Sequence, residues 1–172
     1  MKIFINFFIS ITILCLISCT DSYKERAVII VTEWHDKEFV FSSKSEIENS
    51  EYMVVSYMDS TICSSCRIGS WIRFVEELES INPKVGSLLI LSPSIKNTDD
   101  FLQLRINSIP YCIDYGDEIY KQNNIPKEDL FRTFLLDKDN KVILIGNPIL
   151  KENVKLLYQN RVNEPIRDSY SE

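Results

Sequence analysis

Two cysteines separated by two residues, Cys63 and Cys66, are the side chains of this chain best suited to do chemistry. They follow an apolar run at 52–58 and precede a segment whose apolar residues recur at three- and four-residue spacing. This order predicts a strand-to-helix turn with both sulfurs at the start of the helix. Unpaired N–H groups and the positive dipole end at a helix start favour a thiolate. We therefore expect Cys63 to attack a disulfide and Cys66 to resolve the product.

The first 26 residues are predicted to lie outside the folded domain. A charged start is followed by an apolar run at 3–17, which is shorter than the roughly 20 residues of a spanning helix and is typical of an export signal. Residues 16–19, Leu-Ile-Ser-Cys, resemble a bacterial lipobox, which implies cleavage before Cys19 and a lipid on its sulfur. The alternative is an ordinary secretory signal or an uncleaved anchor. We predict a lipoprotein signal peptide at 1–18 and a polar tether at 19–26.

Length and charge restrict the remaining organisation. The chain has 172 residues, enough for one domain, which we place at 27–162 with a polar tail at 163–172. The net charge is -6 and no stretch is basic, so we expect no nucleic-acid partner. A lipid on Cys19 implies a bacterial cell envelope. Thr20 follows it where an inner-membrane retention signal would have aspartate, which favours the outer membrane facing the periplasm.

Outside the cytoplasm the cysteine pair has competing interpretations. Disulfides persist there, so a redox-active pair needs an electron partner, whereas a structural disulfide or half of a metal site would not. Tetrahedral zinc needs four ligands, and Cys112 and His35 are the remaining sulfur or nitrogen candidates. We expect no metal and no organic cofactor. Cys112 is interpreted as a buried strand residue, His35 as a surface or packing residue, and Trp71 as a core residue.

Strands and helices are predicted to alternate, which indicates an α/β fold. Residues 27–32 and 38–41 are β-branched and aromatic runs around a turn at 35–37, so an N-terminal β-hairpin is expected. Strands alternating with helices favour a mainly parallel sheet covered on both faces, with a late antiparallel hairpin at one side. The other predicted elements are strand 52–58, helix 64–81, strand 85–91, helix 97–106, strand 109–114, helix 117–122, strands 131–136 and 141–145, and helix 151–162.

In this order of elements the chain resembles the thioredoxin superfamily, specifically exported, membrane-tethered TlpA-like thiol-disulfide oxidoreductases. The resemblance covers 27–162 and rests on the CxxC motif after a strand, the Thr-Phe-Leu-Leu-Asp hairpin starting at Thr133, and the terminal helix. It implies a thioredoxin-like fold with a central mixed sheet flanked by helices, an N-terminal β-hairpin extension, and an inserted strand and helix. It also implies exported protein thiols and disulfides as clients, and a membrane electron-transfer partner for recycling.

The chain departs from this family beside the expected substrate groove. Thioredoxin-like proteins usually place a cis-proline before the strand that faces the disulfide, whereas the corresponding stretch here is Phe-Arg-Thr at 131–133. The resemblance implies Ser64, Ser65, Arg132 and Thr133 as groove candidates. An arginine near this position is similar to the one that assists the cysteine of peroxiredoxins, so Arg132 could stabilise a thiolate. A solvated or salt-bridged surface arginine is the favoured alternative.

A second departure concerns the proton acceptor and the charge near the thiols. Related enzymes often carry a buried carboxylate at the end of the strand before the motif, where this chain has Ser-Tyr-Met at 56–58. Asp59 is the nearest acid and is interpreted as a turn former rather than a proton acceptor. The helix end, with a contribution from Arg67, is expected to give a moderate thiolate shift and a reducing poise.

Three functions follow from these features. The leading one is a lipid-anchored envelope thiol-disulfide oxidoreductase that exchanges disulfides with exported proteins. The second is a redox-inactive binding module with the same fold, which the missing proline and missing acid favour. The third and least favoured is a thiol peroxidase.

Overall fold

A computed structural model describes residues 24–41, 50–60, 64–95 and 109–164. Contacts divide the chain into two compact units, one ending at Trp34 and one beginning at His35. The predicted signal peptide, Cys19, the helix at 97–106 and the end of the polar tail lie outside the described residues. Within the described ranges, the structure contains no helix with the length and hydropathy needed to cross a membrane.

The elements follow the predicted alternation. The strands are β1 (Tyr52–Met58), β2 (Val85–Leu91), β3 (Tyr111–Ile113), β4 (Thr133–Asp137) and β5 (Val142–Ile145). The helices are α1 (24–34), α2 (Ser64–Ile81), α3 (Glu118–Asn123) and α4 (Glu152–Asn163), with short 3-10 turns at Tyr115–Asp117 and Asp129–Phe131.

The five strands form one mixed sheet in the order β3-β2-β1-β4-β5. β1 is parallel to β2 and β2 to β3, whereas β4 runs antiparallel to both β1 and β5. Every residue of β1 is buried, as expected for a central strand covered on both faces. The predicted fold class is therefore confirmed as α/β, with a mixed central sheet flanked by helices.

Helices cover both faces of this sheet. α2 and α4 pack together on one face, where the Phe74 and Tyr158 rings meet edge to face at 5.6 Å beside the fully buried Trp71. On the other face, the ring of Tyr57 lies 5.1 Å from that of Tyr120 in α3. Tyr57 alternates along β1 with Met58, which belongs to the α2 side of the core, so the two helix layers are on opposite faces.

The N-terminal β-hairpin is the part of the predicted fold that is wrong. Residues 24–34 form α1, so the expected strand at 27–32 is helical. Short apolar runs do not distinguish strand from helix, and each β-branched residue disfavours a helix by less than about 0.7 kcal/mol relative to alanine. The predicted boundary between the tether (19–26) and the domain, which was expected to start at 27, falls inside this helix.

The second arm of that hairpin is extended and lies along β5. Glu38 forms an isolated antiparallel bridge with Lys141, and the backbone N–H of Val142 donates to the carbonyl of Lys37 at 2.9 Å. Phe39 is buried there against the ring of Phe134, with centroids 5.3 Å apart. The segment 36–39 therefore pairs with residues 140–142, at the start of the outer edge of β5.

Candidate functional site

The backbone gives the CxxC motif the predicted strand-to-helix setting. β1 ends at Met58 and α2 begins at Ser64, so Cys66 lies in the first turn of the helix. Cys63 lies outside the described residues, as do the side chains of Ser64, Ser65 and Cys66. The site is therefore described here by the groups that surround the motif at the end of β1, in the first turns of α2 and in the segment 126–133.

A pair of buried hydroxyls lies near the end of β1, where the resemblance noted from the sequence would place an acid. Ser56 Oγ and Thr133 Oγ1 lie 3.0 Å apart, and the two residues are directly opposite in the β1–β4 register. Ser56 lies on the same face of β1 as Val54 and Met58, which pack in the core beneath α2, so the hydroxyl pair faces that helix. A neutral pair of this kind cannot remove a proton from a thiol at neutral pH.

Arg132 is buried and held by three acceptors. Its Nη1 donates to Asp59 Oδ2 at 2.5 Å, its Nε to the carbonyl of Pro126 at 3.0 Å, and its Nη2 to the carbonyl of Lys127 at 2.6 Å. The Arg132 side chain is 7% exposed. Arg132 is salt-bridged, as one of the expected alternatives had it, but the pair lies inside the protein and not at its surface. Asp59, expected to be a turn former, is the ionic partner of this arginine.

Thr133 faces inward as well. Besides the Ser56 contact, its carbonyl accepts hydrogen bonds from the Gly146 N–H at 2.9 Å and from the Tyr158 hydroxyl at 3.0 Å. Its side chain has no exposed surface. The side chains of Arg132 and Thr133 therefore support the segment rather than present polar groups to solvent, and their role beside a substrate groove stays a prediction.

A second ion pair lies on the helix side of the motif. Arg67, which follows Cys66, donates through Nη1 to Asp129 Oδ2. Asp129 opens the 3-10 turn before β4, and its carbonyl also accepts from the amide of Asn147 at 3.3 Å. The positive charge of Arg67, which was expected to help stabilise a thiolate, is therefore compensated by the Asp129 carboxylate. No local pattern predicts this partner, because it lies 62 residues away in the chain.

The opposite face of the sheet holds a buried phenol and a buried carboxylate. Burial raises the pKa of Tyr57 to about 12, partly offset by a hydrogen bond to Ser92 and reinforced by the nearby charge of Asp114. Asp114 accepts the N–H groups of Ile119 and Tyr120 at 2.9 and 3.0 Å and so caps the start of α3. This capping role was missed because Asp114 ends the predicted strand 109–114, and the turn through Gly116 (φ 82°) separates it from the helix.

The other singled-out residues have structural surroundings. Trp71 is fully buried, which confirms it as a core residue, and His35 is exposed beside Asp36, which confirms it as a surface residue. Cys112 is half-buried in β3, in register with Ile90, so it is less enclosed than expected. Among the residues that the structure describes, no three His, Cys, Asp or Glu side chains are grouped to hold a metal ion.

Comparison with known proteins gives matches among solved structures alone. No protein-family model matches the sequence, and no curated protein does. A secreted disulfide oxidoreductase of Mycobacterium tuberculosis is 16% identical with a TM-score of 0.45, covering 65% of this chain and 80% of that one. Solved thiol-disulfide oxidoreductases are therefore among the structures that this chain is similar to.

Two further structures show the range of these similar proteins. The thioredoxin domain of a Bacteroides vulgatus thiol-disulfide oxidoreductase is 13% identical with a TM-score of 0.43, covering 64% of this chain and 81% of that one. A peroxidoxin of Mycobacterium tuberculosis is 15% identical with a TM-score of 0.49, covering 68% of this chain and 80% of that one. Disulfide oxidoreductase and peroxidoxin are the names of those proteins.

Proposed function

We propose that this chain is a lipid-anchored thiol-disulfide oxidoreductase of the bacterial cell envelope that reduces disulfides in exported proteins. The observation that carries the proposal is the position of the CxxC motif, with Cys66 in the first turn of an 18-residue helix that follows a central buried strand. The open N–H groups at such a helix start stabilise an adjacent thiolate, which is the form that attacks disulfides.

The exchange takes place in two balanced steps. The Cys63 thiolate attacks one sulfur of the client disulfide, which breaks the client's S–S bond and releases one client thiolate to be protonated by solvent. Cys66 then loses its proton and attacks the Cys63 sulfur, which breaks the mixed disulfide and releases the second client thiol. The client gains two electrons and the motif ends as a Cys63–Cys66 disulfide. A membrane partner must return two electrons, and neither step needs a metal or an organic cofactor.

The lipid on Cys19 would hold the domain at a membrane, where its clients are exported proteins. The absence of aspartate after Cys19 favours the outer membrane and the periplasmic side. Radiolabelled palmitate incorporation with Cys19→Ser as control tests this part of the proposal. Incorporation that persists in the variant contradicts an anchor on this sulfur.

Reduction of insulin by the purified mature protein in detergent, driven by dithiothreitol, tests the activity. Cys63→Ser should lower the rate to that of dithiothreitol alone. Cys66→Ser, first reduced and then freed of dithiothreitol, should accumulate mixed disulfides with insulin that non-reducing gels detect. Cys112→Ser is the matched control, because its thiol lies in β3 outside the motif, and it should retain the wild-type rate. Equal rates for the wild type and Cys63→Ser contradict the proposal.

The neutral hydroxyl pair of Ser56 and Thr133 and the inward-facing Arg132 favour a second candidate, a binding module in which the disulfide is structural. The two hydroxyls offer no base at neutral pH, and residues 131–133 lack the proline that the resemblance implies. Reduction potential and melting temperature with and without reductant separate the two functions. A very low potential with a large loss of stability on reduction supports the binding module. Rapid consumption of hydroperoxide at Cys63 would instead support a thiol peroxidase.

A further inference from the structure

Helix α1 carries an apolar patch that is exposed to solvent. Its aliphatic side chains Val28, Ile29 and Val31 are 66%, 54% and 43% exposed. Thr32 lies among them, and we call these four residues the α1 patch. We propose that the α1 patch binds the phospholipid bilayer as a second membrane contact beside the lipid on Cys19. The proposal rests on the proposed function, because that lipid brings α1 to the membrane.

The α1 patch lies on one side of the helix, and α1 packs by the other side. Val31 and Thr32 follow Val28 by three and four residues, so the helix brings all three side chains together. At about 100° per residue, Ile30 and Trp34 lie on the opposite side, where they are half-buried and buried. The contacts that cover Ile30 and Trp34 therefore leave the patch open to a partner.

The hydroxyl within the patch has its hydrogen-bond partner inside the helix. Thr32 Oγ1 donates to the carbonyl of Val28 at 2.8 Å. Moving a hydroxyl out of water costs free energy mainly when the hydrogen bond to water is not replaced. Because the bond to Val28 persists in an apolar layer, the hydroxyl does not oppose transfer of the patch into lipid. The methyl group of Thr32 adds to the apolar surface.

Chain length limits how far the patch lies from a lipid on Cys19. Lys24, the first described residue of α1, follows Cys19 by five residues. A fully extended chain spans at most about 3.6 Å per residue, so Lys24 lies within about 18 Å of Cys19. Val28 is four residues further along the helix, which adds about 6 Å. The bilayer is the apolar surface that a tether of this length keeps within reach of the patch.

The charges of α1 also suit a phospholipid surface. Lys24 and Arg26 balance Glu25 and Glu33, so residues 24–34 carry no net charge within a chain of net charge -6. Bacterial phospholipid surfaces are anionic and repel an acidic protein, but a neutral helix meets no such repulsion. The two basic residues lie at the tether end of α1, where long side chains can hold their charges at the level of the headgroups.

A tryptophan placed on either side of α1 tests the proposal in protein expressed from the full sequence. Val31→Trp puts an indole in the patch. Glu33→Trp is the matched control, because two residues turn the helix by about 200° at nearly the same height. Both positions are exposed, so neither change should disturb packing. The proteins are reconstituted into vesicles of phosphatidylethanolamine and phosphatidylglycerol, with or without brominated acyl chains that quench nearby indoles.

The emission of each added tryptophan is obtained by subtracting the wild-type emission. That of Val31→Trp should fall at least about twofold in brominated vesicles, because an interfacial helix buries its apolar side about 5–10 Å deep. That of Glu33→Trp should fall much less. Val28→Trp also lies in the patch, should behave like Val31→Trp, and keeps the test decisive if Val31→Trp does not fold. Equal quenching of the patch and control variants overturns the proposal.

Mass spectrometry of the same protein preparations shows whether Cys19 carries lipid, so the patch and the anchor are tested separately. Lipid on Cys19 with equal quenching of Val31→Trp and Glu33→Trp overturns the role of the patch and supports the anchor. Stronger quenching of Val31→Trp without lipid on Cys19, at high vesicle concentration, supports the patch and overturns the anchor. Equal quenching without that lipid overturns both.

Discussion

The hydroxyl oxygens of Ser56 and Thr133 lie 3.0 Å apart, buried between neighbouring strands at the end of β1. Each hydroxyl satisfies the other, so removal of one leaves a buried polar group without its partner. Thr133 also supplies the carbonyl that Tyr158 and Gly146 bind. This contact therefore joins β1, which leads to the CxxC motif, to its neighbouring strand β4.

Removing both hydroxyls should cost less than the sum of the two single removals. We expect Ser56→Ala and Thr133→Val each to lower the free energy of unfolding by about 1–3 kcal/mol. The double variant should lose less than the sum of the single losses, because no orphaned hydroxyl remains. Urea unfolding measures all four proteins, with an unchanged m value as the check on two-state behaviour. Strictly additive losses would show that the two hydroxyls are not coupled.

Raising the pH should destabilise the fold through Tyr57. Its pKa is about 12 in the folded protein against about 10 in an unfolded chain, so the fold favours the neutral phenol. The associated stability is complete below pH 10 and is lost as the pH rises towards 12. After allowance for solvent screening, we expect a loss of about 1–2 kcal/mol.

Unfolding measured at pH 9 and pH 11.5 tests this effect by comparison with Tyr57→Phe. The variant lacks the ionisable phenol, so its stability should fall less than that of the wild type over this interval. Tyr115→Phe, at an exposed tyrosine of the same sheet edge, is the control and should follow the wild-type curve. Parallel curves for Tyr57→Phe and wild type would contradict a perturbed Tyr57.

Local sequence patterns were sufficient for much of this fold. The helix at 64–81 is predicted at both ends, because an apolar stripe recurs at helical spacing and Asn82-Pro83 follows it. The strand at 85–91 is also predicted at both ends, since a short, nearly continuous apolar run suits a strand buried on both faces. Asn140 takes the predicted left-handed conformation in the turn after β4, with φ 60°.

The failures share a non-local cause. The run 27–32 has β-branched residues typical of a strand, yet it is helical, because local preference is too weak to decide the state of so short a run. In the site, the partners of Arg67 and Arg132 are 62 and 73 residues away, so no spacing rule indicates them. Sequence could place the cysteines at a helix start, but only the tertiary structure shows which carboxylates compensate the nearby arginines.

Substitution of Gly146 should be more harmful than substitution of Gly116. Both have positive φ, at 145° and 82°, so a side chain strains the backbone at either position. A Cβ at Gly146 would also lie 3.0 Å from Val154 Cγ1, whereas the nearest atom to one at Gly116 is 3.8 Å away. We expect Gly116→Ala to cost about 1 kcal/mol and Gly146→Ala about 2–3 kcal/mol in unfolding free energy. Adding Val154→Ala to Gly146→Ala should recover part of the steric loss, and equal costs at the two glycines would show that this contact is unimportant.

Arg132 should not tolerate replacement by lysine, although the charge is kept. The guanidinium reaches Asp59 and the carbonyls of Pro126 and Lys127 at once, and a single ammonium cannot repeat that planar geometry. Arg132→Lys should therefore leave these carbonyls without their donors and lower the unfolding free energy by about 1–3 kcal/mol. Lys84→Arg is the matched control, because the Lys84–Glu51 pair is exposed and a change between basic residues there should shift stability by less than about 0.5 kcal/mol. Urea unfolding of the two variants measures the difference, and an Arg132→Lys protein as stable as the wild type would show that charge alone holds the segment before β4.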